Sequence, residues 1–217
     1  MESLIFATGV LAGVLQVFGY GIYFKQVIAH DVFPNGMSWL MWAYGTFVIF
    51  FIEFDLSASW TILVLPAFCS LSSLLIAGYS FSRGAYIKPD RIDYLALGID
   101  VMLLLSYVYL VYVAHVSELH KDVYTALILV ATSLSTLVTF FPMIRTTYRE
   151  PANEKASAWI VWTLAYSFLL FTVWHATSSF EYLVYPILNI MLHGVMAILI
   201  LQNKRLYTTT KIAPKVP

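Results

Sequence analysis

The chain has 217 residues, of which 60% are hydrophobic, 17% are aromatic and only 11% are charged. A soluble domain averages about 25% charged residues, so this composition excludes an ordinary soluble protein and predicts an integral membrane protein. The formal net charge is zero, and the single cysteine, Cys69, excludes an intrachain disulfide.

Seven apolar segments are long enough to cross a bilayer, because a helix needs about 20 residues to span a hydrocarbon core of ~30 Å. Short connections separate them and leave no room for a soluble domain. The predicted spans are 4–28, 37–54, 58–82, 92–116, 123–147, 157–175 and 181–203. The predicted fold class is therefore all-α, with seven transmembrane helices and a basic cytosolic tail at 204–217.

Lysine and arginine are distributed unevenly between the two sides of the predicted membrane. With seven spans, eleven of these residues fall on one side and only Lys121 falls on the other. Because basic loops stay in the cytosol, this distribution predicts that the amino terminus is outside and the carboxyl terminus is in the cytosol. The predicted location is the cell membrane.

The second half of the chain repeats the first at a shift of 120 residues. Helices 1 to 3 then correspond to helices 5 to 7, and helix 4 is left over. An odd linker helix makes the two units parallel, as in transporters of the SWEET type. The predicted organisation is a first repeat at 1–85, a linker helix at 86–120 and a second repeat at 121–203. The aligned pairs include Trp39 and Trp159, Trp42 and Trp162, and Pro66 and Pro186.

The segment FFPMIRTTYREPANEKASAWIVW, at 140–162, resembles a PQ-loop segment. It keeps the proline and the base of that motif as Pro142 and Arg145, with Met143 in place of the glutamine. FPNGMSWLMW, DRIDYLALG and EYLVYPILN are similar to segments of a little-characterised group of seven-helix bacterial membrane proteins of SWEET-like plan. The resemblance implies a transporter fold of three, one and three helices in a bacterial inner membrane.

Helix 7 carries the best candidate for a binding site near the middle of the membrane. Pro186, Asn189 and His193 share one face, and polar groups at this depth face a cavity or one another. The resemblance implies that Asn189 binds the solute together with its repeat mate, here Cys69, while Ser73 is the mate of His193. Alternatively, Asn189 and His193 bond to a neighbouring helix and hold the bundle together. His193 is also a candidate for proton coupling, because histidine titrates near neutrality.

Asp100 is a second polar residue whose burial in the membrane would be energetically costly. It lies about eight residues, or ~12 Å, into helix 4. Asp93, Asp100 and Tyr107 recur every seven residues, so they share a face that we expect to turn toward protein. Membrane acids serve proton coupling in PQ-loop relatives, and the resemblance makes Asp100 a candidate for that role. A structural acid hydrogen-bonded to a tyrosine or serine is the alternative.

Two tryptophans open helix 2 and two open helix 6. Trp39 and Trp159 lie at the predicted cytosolic headgroup level, which favours a role as interfacial anchors. Trp42 and Trp162 lie one turn deeper, where they stack on a solute ring, close a gate or pack as core residues. Tyr166 continues the same face of helix 6.

Function follows from these features as a hypothesis. The chain carries no phosphate loop, nucleophile elbow or metal-ligand spacing, so we predict no enzyme, no cofactor, no metal and no nucleic-acid partner. The resemblance implies that Trp174 lies near a sugar-stacking position. The leading hypothesis is a transporter of a sugar, a nucleoside-like vitamin precursor or an amino acid, facilitative or proton-coupled. The rival is a receptor or scaffold that binds without transport, and a homo-oligomer is left open.

Overall fold

The computed structural model describes residues 2–84, 87–113, 118–177 and 179–212. All regular secondary structure in these ranges is helical, which confirms the all-α class. A π-helical turn, Tyr109–Val113, follows the fourth α-helix, and a 3-10 turn, Pro151–Asn153, follows the fifth. The α-helices are α1 (Glu2–Ile28), α2 (Gly36–Asp55), α3 (Trp60–Arg83), α4 (Arg91–Val108), α5 (Glu118–Arg149), α6 (Ala156–Ala176) and α7 (Glu181–Ile212).

Six of these helices, α1 to α3 and α5 to α7, are long and apolar enough to cross a membrane. The remaining helix, α4, carries three charged residues within 18 positions, Arg91, Asp93 and Asp100, and is not one of the six. The predicted span at 92–116 therefore differs from the others in composition. The helical backbone of α7 runs past the predicted membrane boundary to Ile212, and 213–217 of the predicted tail lie outside the described residues.

Local sequence signals explain where several helices begin and end. The side chain of Asn35 accepts a hydrogen bond from the Ser38 amide at 3.1 Å and caps α2. Asp90 forms a reciprocal capping box with Asp93 at the start of α4. Gly84 ends α3 in the left-handed conformation that favours glycine.

The six apolar helices pack side by side in a closed ring. In order around the ring, each helix contacts the next: α1, α3, α2, α5, α7, α6 and back to α1. Helix α4 packs against α5 and α2. The starts of α2 and α6, Gly36 and Ala156, lie 120 residues apart, the same spacing as the sequence repeat. The residues predicted for the site therefore come from helices that meet around one central space.

Close packing between α1 and α6 depends on Gly19. A side-chain Cβ at this position would overlap the indole nitrogen of Trp162. The same nitrogen donates a hydrogen bond to the backbone oxygen of Gln16 at 3.3 Å. Glycine thus lets the Trp162 ring lie directly against the α1 backbone and turn toward the centre of the ring.

Candidate functional site

A narrow central cavity lies inside the ring of six helices. The cavity has a volume of about 20 Å³, which is room for one or two water molecules. A solute of several heavy atoms therefore requires the walls to move apart. The predicted site residues that line it are Trp42, Cys69, Trp162, Tyr166, Asn189 and His193.

Two other predicted residues lie elsewhere. Ser73 is fully buried behind the cavity wall, where its hydroxyl is 2.8 Å from the hydroxyl of Tyr20. Trp174 is 65% exposed and does not belong to the cavity lining. The inner face of α6 passes through Trp162, Tyr166 and Val173, and the next residue, Trp174, points about 100° away from that face. A role for Trp174 in stacking a solute in this cavity does not fit its position.

His193 is packed among aromatic rings at the cavity wall. Its ring centroid is 5.0 Å from those of Tyr166 and Phe140, and the ring is nearly parallel to that of Trp42 at 6.2 Å. The Nδ1 atom lies 2.8 Å from the backbone oxygen of Asn189. A carbonyl oxygen only accepts, so Nδ1 carries the hydrogen, and Nε2 of the neutral ring is an acceptor.

Asn189 is held by its own helix. The side-chain Nδ2 donates to the backbone oxygen of Tyr185 at 2.9 Å, one turn before it on α7. Within the described part of the chain, no hydrogen bond to its side-chain oxygen is found. The amide nitrogen therefore fixes the side chain, and the oxygen is the atom that can accept a hydrogen bond from a solute.

A chain of hydroxyl and thiol groups connects four helices at the cavity. The Tyr20 hydroxyl lies 2.9 Å from the Cys69 sulfur, which lies 3.8 Å from the Tyr166 hydroxyl. The Tyr166 hydroxyl in turn lies 3.0 Å from that of Tyr185. Every one of these groups donates and accepts, so the chain can reverse its direction without moving a heavy atom.

Two polar groups in the cavity wall lack a partner among the described residues. They are the indole nitrogen of Trp42 and the hydroxyl of Thr132, both on buried side chains. A buried donor without a partner costs about 1–3 kcal/mol. The cavity therefore offers one N–H donor and one hydroxyl to whatever occupies it.

At one end of the cavity, four buried residues form what we call the Glu154 cluster. One carboxylate oxygen of Glu154 accepts from the Tyr23 hydroxyl at 2.8 Å, and the other accepts from the Trp159 indole at 3.1 Å. The Trp39 indole donates to the Tyr23 hydroxyl at 3.3 Å. Trp39 also lines the cavity, so the cluster closes directly over this end.

The Glu154 cluster overturns the prediction that Trp39 and Trp159 are interfacial anchors. Both indoles are buried and hydrogen-bonded inside the protein, whereas an anchor exposes its ring to the headgroups. Glu154 itself was not predicted, because a glutamate in a polar loop resembles any solvated acid. Burial raises the pKa of Glu154 to about 8, although the hydrogen bonds from Tyr23 and Trp159 act in the opposite direction.

A second buried carboxyl, Glu53, lies at the other end of α2, fourteen residues or about 21 Å from Trp39. It is 2% exposed, and its Oε2 has no hydrogen-bond partner among the described residues. Thr46 and Ile49 of α2 line the central cavity, and Glu53 follows Ile49 by one helical turn on the same face. Glu53 therefore lies near the cavity end opposite the Glu154 cluster.

Beyond Glu53 is a wider space of about 450 Å³, which we call the acidic vestibule. Its acidic lining residues are Asp55, Asp122 and Glu181, and they lie beside Tyr182. No basic side chain is among the described residues that line it. Within the described ranges, no group of three His, Cys, Asp or Glu side chains is arranged to hold a metal ion. The three vestibule carboxylates together give this space a negative electrostatic potential.

Asp100 lies beside the cavity and not in it. Its side chain is buried, as are those of Asp93 and Tyr107, so the shared face turns toward protein as predicted. One Asp100 oxygen accepts from the Thr139 hydroxyl at 3.2 Å, and the other has no described partner. Thr139 also lines the cavity, which places one hydroxyl between Asp100 and the cavity.

Comparison with known proteins adds no assignment. No family model, no curated protein and no solved structure matches this chain.

Proposed function

We propose that the protein is a membrane transporter of a small polar solute that works by alternating access. The observation that carries this proposal is the central cavity, whose wall contains polar groups without a described partner. The cavity lies between the Glu154 cluster at one end of the helix ring and the acidic vestibule at the other. A cavity at the midplane between two repeats is where such transporters bind their solutes.

The arrangement of helices supports two parallel three-helix units with α4 as the linker. The ring order is α1, α3, α2 and then α5, α7, α6. A rotation of the ring by half a turn brings α1 onto α5, α3 onto α7 and α2 onto α6. These are the pairs of helices that the sequence repeat aligns. In this proposal the two units rock against each other, and the membrane is a bacterial inner membrane.

The two ends act as the two gates. In this proposal the amino terminus is outside, the Glu154 cluster lies on the cytosolic side and the acidic vestibule lies on the outer side, because basic loops stay in the cytosol. The Glu154 cluster ties α1, α2 and α6 together across the cavity. Opening to the cytosol then requires these hydrogen bonds to break.

The solute contacts in this proposal are the Asn189 oxygen, the Trp42 indole N–H and the Thr132 hydroxyl. His193 and Asp100 are the proposed proton-coupling residues if transport is coupled. His193 has an acceptor nitrogen at the cavity wall, and Asp100 is connected to the wall through Thr139.

Ligand screening followed by reconstitution tests the proposal. A bound solute raises the melting temperature of the detergent-purified protein by mass action, so sugars, nucleosides, vitamin precursors, amino acids and amines are screened by thermal shift. Hits are then followed as radiolabelled uptake into proteoliposomes. We expect Asn189→Ala and Trp162→Ala to abolish the hit's stabilisation and uptake.

The control for the tryptophan change is Trp60→Ala, since Trp60 is 71% exposed and outside the cavity. A solute whose stabilisation survives Asn189→Ala and Trp162→Ala would place its site elsewhere. Binding without uptake in sealed proteoliposomes would instead identify a receptor.

A further inference from the structure

We infer that the solute is a small organic cation, an ammonium compound whose charge Glu53 balances between the acidic vestibule and the central cavity. This inference rests on the proposed transport function and adds the chemical class of the solute. Three independent features carry it: the unpaired Glu53 carboxyl, the aromatic wall of the cavity and the charge of the vestibule.

Glu53 forms no ion pair with any residue that the structure describes. The ion pairs among described residues join Arg145 to Asp90 and Asp93, and Lys155 to Asp31. All three are remote in sequence from the Glu53 end of α2, and none includes Glu53. A buried carboxylate without a partner is costly in a membrane protein and marks an ion or substrate pathway by default.

Glu53 is placed where a solute would have to pass. On α2 it lies one turn beyond Ile49, which lines the central cavity, and two residues before Asp55, which lines the acidic vestibule. A cation moving from the vestibule to the cavity would therefore meet this carboxyl between them.

The cavity itself suits a cation without a carboxylate in its wall. Among the described residues that line it, six are Trp or Tyr and none is Lys, Arg, Asp or Glu. The face of an aromatic ring attracts a cation, and cages of such rings bind quaternary ammonium groups. The Trp42 N–H and the Thr132 hydroxyl then suit an oxygen elsewhere on the same solute.

The acidic vestibule selects by charge before the solute reaches Glu53. Among the described residues, three carboxylates line this space, and their combined field concentrates cations and repels anions. A neutral sugar is not attracted by this field. An amino acid brings a carboxylate, which Glu53 repels.

The test uses pairs of solutes that differ in charge and little in shape. Choline is compared with its neutral isostere, in which a tert-butyl group replaces the trimethylammonium group, and ethanolamine is compared with ethylene glycol. Glucose is added as a neutral polar solute. Uptake is measured in proteoliposomes that contain the full chain, with empty liposomes as the background. We expect uptake of at least one ammonium compound and background rates for its neutral partner.

Variants then test the role of Glu53. We expect Glu53→Gln to reduce uptake of the ammonium compound about tenfold or more, Glu53→Asp to retain part of it, and Glu150→Gln to leave it unchanged. Glu150 is an exposed carboxyl outside the cavity and the vestibule. The melting temperature of each variant without solute shows that it is folded.

The outcomes separate this inference from the proposed function. Uptake of glucose or another neutral solute without uptake of choline or ethanolamine would show that the solute is not a cation. The proposed transport function would then still hold. Amine uptake that Glu53→Gln does not change would remove Glu53 as the counter-charge. If the reconstituted protein takes up nothing in this panel or in the wider screen, transport itself is wrong, and the inference fails with it.

Discussion

The two buried glutamates of this protein lie at opposite ends of one cavity and in opposite chemical situations. Glu154 and Glu53 are each 2% exposed. Both oxygens of Glu154 accept hydrogen bonds from side chains, whereas Oε2 of Glu53 has no described partner. The two residues are equally buried but differ in their hydrogen bonds. This difference indicates a structural role for Glu154 and leaves Glu53 available to bind a ligand.

The contrast also divides the two ends by function. The Glu154 cluster stabilises one closed end through hydrogen bonds among three helices and a loop. At the other end, no described residue forms a hydrogen bond with Oε2 of Glu53. Substituting the two residues in parallel is the direct way to break or sharpen this comparison.

The largest effect is expected from Glu154→Ala. The change leaves the Tyr23 hydroxyl and the Trp159 N–H buried without their acceptor, at about 1–3 kcal/mol each. We expect the free energy of unfolding to fall by about 2–5 kcal/mol, measured by denaturant titration in detergent. Glu150→Ala, an exposed carboxyl in the same loop, is the control and should stay within about 0.5 kcal/mol of the wild type. Equal stability of the two variants would contradict the cluster.

A somewhat smaller effect is expected from pH. Burial raises the pKa of Glu154 to about 8 in the folded protein from an ordinary value of 4.5. Between these two pH values the folded protein keeps a proton on Glu154 that the unfolded chain has lost. Stability then falls as pH rises from about 4.5 to about 8, by an amount on the order of a few kcal/mol, and is level above that. Unfolding titrations across this range measure it. We expect Glu154→Gln to flatten the dependence, and an unchanged slope in that variant would assign it to other groups.

Tyr23→Phe tests the cluster without touching the carboxyl. Loss of this hydroxyl removes the donor to Glu154 and the acceptor for the Trp39 indole. We expect a loss of about 1–3 kcal/mol in the same unfolding titration. Tyr148→Phe is the matched control, because Tyr148 is 71% exposed. If both variants unfold alike, the hydroxyl of Tyr23 contributes nothing to this end.

Much of the fold could be predicted from the sequence, because hydropathy over about 20 residues follows directly from the thickness of a bilayer. The positions of Asn189 and His193 could also be predicted, since polar residues at helical spacing share a face. Helix α4 was harder: Arg91, Asp93 and Asp100 give it three charged residues, and it is not one of the six helices that are long and apolar enough to cross a membrane.

The rest of the site depends on partners that are distant in sequence. Trp39 and Trp159 have the spacing and depth of anchors, and only their packing against other helices shows that they are buried. Trp174 lies outside the cavity because it follows Val173 of the inner face of α6 by one residue, and one residue turns the side chain by about 100°. Glu53 and Glu154 stand near helix ends, where a solvated acid is the ordinary expectation. Hydrogen-bond partners from other helices distinguish them, and a single sequence does not display those partners.

The smallest effect, and the sharpest test of the comparison, is expected from Glu53→Gln. Removing an acid that has an unpaired buried oxygen relieves a desolvation cost and breaks no hydrogen bond found in the structure. We therefore expect the free energy of unfolding to stay constant or rise by up to about 1 kcal/mol, while the same change at Glu154 lowers it. Both variants are unfolded side by side at pH 7 in the same detergent. A loss at Glu53 as large as that at Glu154 would mean that Glu53 also has a structural partner, and the two ends would then be chemically equivalent.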